Sequence, residues 1–158
     1  MARRFIVKEP DPVLHKKCKP VEKFDDKLGE LLDDMRETML YADGVGLAAP
    51  QVGILRRLAV VEVDDFYVEL INPVITKAKG EQVGPEGCLS VENYHCRVKR
   101  PYEITVEYQD RYGKRLKLKT EGFVARACCH EIDHLDGILF VDRFYDDKVD
   151  AEDEVESK

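Results

Sequence analysis

The sequence predicts an α+β fold in one domain. Two segments carry helical apolar periodicity, one near each end, and the stretch between them reads as short strands separated by turns. A chain of 158 residues is long enough to bury one hydrophobic core and short enough to need only one.

Residues 1–21 are broken by Pro10, Pro12 and Pro20 and read as irregular. From Asp25 to Tyr41 the apolar residues Leu28, Leu31, Leu32, Met35, Met39 and Leu40 follow the i, i+3, i+4, i+7 pattern, with Asp25 as N-cap and Gly44 beyond the end. The small-residue stretch from Gly44 to Gly53 would let backbone approach a ligand closely. Strand-like runs follow at Arg57–Val63, Phe66–Ile71 and Val74–Lys77, then a loop through Gly80, Gly84 and Gly87. Two further strands, Ile104–Gln109 and Lys114–Thr120, flank a hairpin turn at 110–113. A second helix runs from Gly122 to Leu135, and Gly137 suits the left-handed position after it. Ile138–Phe144 reads as a last short strand. The expected architecture is small mixed or antiparallel sheets around this central helix, with one N-terminal helix.

Charge divides the chain. Residues 146–158 hold a formal −5 of the total −7, so the expectation is a catalytic domain over 1–145 and an acidic, flexible tail over 146–158. Nothing resembles the basic footprint of a nucleic-acid binder. No stretch reaches the length of a membrane span, and the first residues lack a signal-peptide core. Five cysteines without a regular framework point to free thiols and a reducing, cytoplasmic setting.

The chemistry concentrates on the second helix, in His130-Glu131-Ile132-Asp133-His134. Histidines at i and i+4 share a helix face, so two imidazoles can hold one metal ion. Glu131 projects about 100° around from His130, within reach of a water at that metal, as a general base requires. A catalytic metal usually takes a third protein ligand. No histidine follows His134, and the downstream acids lie just past the helix or in the tail. Cys88, in Glu86-Gly87-Cys88-Leu89-Ser90, is the best remaining candidate, because a thiolate binds such ions tightly.

Three ordered motifs now stand together: Gly44-Val45-Gly46-Leu47-Ala48-Ala49-Pro50-Gln51, Glu86-Gly87-Cys88-Leu89-Ser90, and the histidine–glutamate helix. In this order and spacing the chain resembles the peptide deformylase family over essentially its whole length. The resemblance implies a metal-dependent hydrolase that removes the formyl group from the N-terminal methionine of new polypeptides. It implies that Cys88, His130 and His134 hold the metal, natively Fe(2+), with Zn(2+), Ni(2+) or Co(2+) able to replace it. Glu131 would take a proton from the attacking water and pass it to the leaving amine. Gln51 and the Leu89 backbone N–H would stabilise the oxyanion, and Gly46 would bond the substrate main chain as an added strand. Phe123 and Ala127 fall on the same helical stripe as the two histidines and, with Val45, are the expected lining of the methionine pocket.

The chain departs from the family at Cys129, where glutamine is usual, and at Val91-Glu92-Asn93, where many members carry a proline. Some family members dock on the ribosome through a basic C-terminal helix; here the end is acidic, so N-formylmethionyl chains are the expected partners, with at most transient ribosome proximity and no tail-driven docking. Two other readings compete: a general metallopeptidase sharing the histidine–glutamate helix, and a non-enzymatic metal-binding module.

Overall fold

Asp25 accepts a hydrogen bond from the Leu28 N–H at 3.1 Å and so caps the first helix, α1 (Asp26–Tyr41). The computed structural model describes residues 2–156. Helix α1 buries Leu28, Leu31, Leu32, Met35 and Met39 against Leu47, Leu58, Val60 and Ile71. Leu40 is turned out to solvent. The helix ends where Asp43 takes a left-handed φ of 58° and the Gly44 N–H bonds back to the Met39 carbonyl at 2.9 Å.

Strands β1 (Gly46–Ala48), β2 (Leu58–Val63) and β3 (Phe66–Lys79) follow. Next come β4 (Glu81–Cys88), β5 (Val91–Arg100), β6 (Glu103–Gln109) and β7 (Arg115–Glu121). The second helix, α2 (Gly122–Leu135), has the expected bounds, and Gly137 beyond it adopts φ 76°. Two short strands complete the order, β8 (Phe144–Asp146) and β9 (Glu154–Glu156). The strands form two antiparallel sheets, β1-β2-β3-β6-β7 and β8-β5-β4-β9.

Helix α2 lies between them. Ala125, Cys128, Cys129 and Ile132 pack on Val61, Val68, Leu70, Ile104 and Val106 of the five-stranded sheet. Its other side meets the four-stranded sheet through charge: Arg126 reaches the Gly84 and Val98 carbonyls at 3.3 and 3.2 Å.

Four expectations change. The segment 80–88 is no loop. It forms β4, paired with β5 from Gln82↔Arg100 to Cys88↔Val91. Its glycines permit close approach: a Cβ on Gly84 would sit 2.8 Å from Asp153 Oδ1, and one on Gly87 would sit 2.6 Å from the His95 ring. The two runs split at Asn72-Pro73 are one strand, β3, carried through a bulge at which Asn72 holds φ 52°. The Asn72 side chain ties this bulge to the Val21 N–H and carbonyl at 2.8 and 2.9 Å. Ile138–Phe144 is mostly a 3-10 turn, Phe140–Arg143, because Asp142 accepts from the Leu139 N–H at 2.9 Å and Phe140 turns inward. Finally, the acidic end is held against the body. Strand β9 pairs with Glu81–Val83, and Asp146 accepts two bonds from Arg97, at 2.8 and 2.7 Å. Among the described residues no helix is long and apolar enough to cross a membrane.

Candidate active site

One turn of α2 sets His130 and His134 with ring centroids 5.1 Å apart. The end of β4 brings Cys88 Sγ to 3.3 Å from His134 Nε2. A thiol sulfur and one nitrogen from each ring all lie within 4.8 Å of one another. His130 spends its Nδ1 on Glu86 Oε1 at 2.8 Å, which leaves Nε2 to face the cluster. Burial resists a positive His130, but Glu131, Cys88 and Glu86 outweigh it and raise its pKa. Surroundings that favour a cation on the ring also favour a metal cation beside it. His134 is driven the other way: burial, then repulsion from His130 and Arg100, holds its pKa well below the usual value. A neutral imidazole is the form that ligates. One thiol and two imidazoles, converging with room for a fourth group, fit a catalytic divalent metal.

Glu131 points at the same centre, with Oε2 4.0 Å from His130 Nε2 and Oε1 buried without a protein partner. Burial pushes its carboxyl up to about 7, against the pull of His130. Gln51 sits in the 3-10 turn Ala49–Val52 directly after β1. Its Oε1 accepts from the Ala48 N–H at 2.9 Å, which fixes the orientation of the amide. Nε2 then faces Ser90 Oγ at 3.1 Å and Cys88 Sγ at 3.5 Å. Leu89 follows Cys88 at the tip between β4 and β5.

Gln51, Cys88, Leu89, His130 and Glu131 line a cleft of about 350 Å³, with His134 buried behind it. Val45, Gly46, Phe123 and Ala127 are all on its wall. Phe123 is 53% exposed and Val45 41%, so both are mouth residues rather than core. Strand β1 is an edge strand of its sheet, so among the described residues no strand pairs with the outer side of Gly46. Cys129 is absent from the wall. It packs in the α2 core, and burial pushes its thiol up to about 12.

A buried charge network that no sequence motif marks stands behind the ligands. Glu86 takes Arg100 through two bonds of 2.9 Å and Arg126 at 2.7 Å. Burial alone would raise the Glu86 carboxyl, but Arg100 and His130 hold it well below the usual carboxylate range. Arg100 continues to Asp133 at 2.6 Å, and Arg143 closes on Asp133 from the surface. The available signal was helical spacing: Arg126 and Asp133 lie four before and three after His130.

The polypeptide deformylase family model matches residues 4–150, which contain every motif described above. The chain belongs to the peptide deformylase family. The peptide deformylase of Caldicellulosiruptor bescii is 51% identical over 158 residues, covering 100% of this chain and 94% of that protein. Peptide deformylase 1 of Bacillus cereus is 55% identical over 152 residues, covering 93% and 97%. The solved peptide deformylase of Thermotoga maritima superimposes with a TM-score of 0.89 at 43% identity, over 92% of this chain and 99% of that one. That of Synechococcus elongatus, in complex with actinonin, gives 0.86 at 41% identity, over 89% and 78%. Peptide deformylases are metal-dependent hydrolases, so the chain is an enzyme, and the general-peptidase and metal-module readings are left without support.

Proposed function

We propose that this cleft removes the formyl group from N-terminal formyl-methionine of new polypeptides, with Cys88, His130 and His134 holding one divalent metal ion, natively Fe(2+). The observation that carries the reading is the convergence of these three donors, the Glu131 carboxylate and the Gln51 amide beside the edge strand β1. Zn(2+), Ni(2+) or Co(2+) would satisfy the same donor set. The ion would supply Lewis acidity, lowering the pKa of water and polarising the carbonyl.

The substrate main chain lies along β1 and bonds the backbone at Gly46. Its methionine side chain contacts Val45, Phe123 and Ala127. Glu131 accepts a proton from the attacking water as oxygen bonds to the formyl carbon. A carboxyl raised to about 7 can both take and return that proton near neutral pH. The Gln51 amide and the Leu89 N–H meet the negative oxygen of the tetrahedral adduct. Glu131 then gives the proton to the nitrogen, the carbon–nitrogen bond breaks, and formate and a free amine leave.

The acidic C-terminal segment offers ribosomal RNA no attraction, so nascent chains in the cytoplasm are met without tail-driven docking. Formate release from a formyl-Met tripeptide, run beside acetyl-Met peptide and casein, tests the proposal. Turnover of the formyl substrate alone is expected. Casein digestion, or no formate release from protein holding one metal per chain, would overturn it.

A further inference from the structure

The mechanism leaves the N-terminal segment unused, yet residues 7–9 touch both halves of the oxyanion site. The Val7 N–H donates to the Gln51 carbonyl at 2.7 Å, and the Glu9 N–H donates to the Ser90 carbonyl at 2.9 Å. Between them, Lys8 Nζ donates to the Leu89 carbonyl at 2.9 Å and lies 3.6 Å from the Glu92 carboxylate. Gln51 follows β1 of the five-stranded sheet, whereas Leu89 and Ser90 form the β4–β5 tip of the four-stranded sheet. The two oxyanion donors thus stand on different sheets. Residues 7–9 bridge those two segments, alongside the Gln51 contacts to Ser90 and Cys88 and the packing of the Leu89 side chain on the core around Leu47 and Ala49.

We infer that residues 7–9 form a strap that sets the spacing of the two oxyanion donors, and that Lys8 is a positioning residue for the reaction. The inference rests on the roles given above to Gln51 and the Leu89 amide. Donors must sit about 2.7–3.1 Å from the developing oxygen, and a displacement of about 1 Å can cost on the order of a hundredfold in rate. The Leu89 side chain seats the tip on the core around Leu47, but the backbone that carries its N–H can still rotate unless its carbonyl is also held. Lys8 does so from the surface, with 43% of its side chain exposed. Exposed pairs of this kind add little to global stability. Its loss should therefore act on rate and leave the fold intact.

The test compares wild type, Lys8→Met, Lys8→Arg and Gln51→Ala as metal-loaded full-length enzymes, measuring kcat, KM, metal per chain and Tm. Lys8→Met should lower kcat about fivefold with KM within about twofold. Its Tm should stay within about 2 °C of wild type and its metal content should be unchanged. Lys8→Arg, which keeps a cation able to reach the Leu89 carbonyl, should recover most of kcat. Wild-type kcat in Lys8→Met, a loss confined to KM, an equal loss in Lys8→Arg, or a loss that tracks metal content would each overturn the strap. Wild-type kcat in Gln51→Ala would overturn the oxyanion reading, and the strap with it. A loss in Gln51→Ala without one in Lys8→Met would sink the strap alone.

Discussion

The Gly46 Cα lies so close to the Glu131 carboxylate that any Cβ added there would collide with it, meeting the Glu131 Cδ at 2.7 Å and Cγ at 2.8 Å. The edge strand and the catalytic helix are in effect keyed to each other by the missing side chain. Glu131 is 4% exposed and walled by core, so it has nowhere cheap to go.

Gly46→Ala should therefore displace the carboxylate rather than unfold the protein. The expected loss in kcat is about a hundredfold, since an error of about 1 Å at a catalytic group has that effect. The three atoms nearest the added methyl all belong to Glu131 and none to a metal donor, so metal content should hold. Steady-state kinetics with metal analysis checks this, and full activity in Gly46→Ala would contradict the packing.

Glu86 is the hub of the buried network, joined to His130, Arg100 and Arg126. Glu86→Gln leaves buried Arg126 without a carboxylate and Arg100 with Asp133 alone. Breaking such a network by removing one partner costs about 3–5 kcal/mol. It also releases the His130 ring, and loss of a partner of this kind weakens metal binding about 10- to 100-fold. Chemical denaturation and metal titration report the two effects separately. The variant should fail on both.

Asp146 anchors the acidic end to Arg97, whose hydrogen bonds lower its pKa from 3.8 to about 2. A depressed carboxyl stabilises the fold above its unfolded pKa and loses that contribution as pH falls toward the folded one. Wild type should thus exceed Asp146→Asn in Tm above about pH 4, and the two should converge as pH approaches 2. A gap that persists unchanged to pH 2 would show that the pair does not titrate with folding.

Helix α2 was legible in the sequence to the residue, because its apolar period and its flanking glycines agree. Cys88, His130 and His134 were legible too, since the spacing in two short motifs suffices to nominate donors, and the fold brings all three together. Strand β4 was not. Gly84, Pro85 and Gly87 look like loop residues until Asp153, Arg126 and His95 are seen pressing on the two glycines. The charge network was hidden for a different reason. Glu86, Arg100 and Arg126 read as solvated charges one at a time, and only the packing of α2 on β4 and β5 makes them a buried set. The acidic end was misjudged similarly, because its partner Arg97 lies 49 residues away.

In the proposed reaction Glu131 moves the proton while Cys88, His130 and His134 hold the metal. Formate release and metal content measured together on Glu131→Ala test it most directly. One metal per chain and a loss in turnover of about a thousandfold are expected, in the range of a general acid–base group. Turnover within tenfold of wild type, from protein with its metal in place, would contradict it.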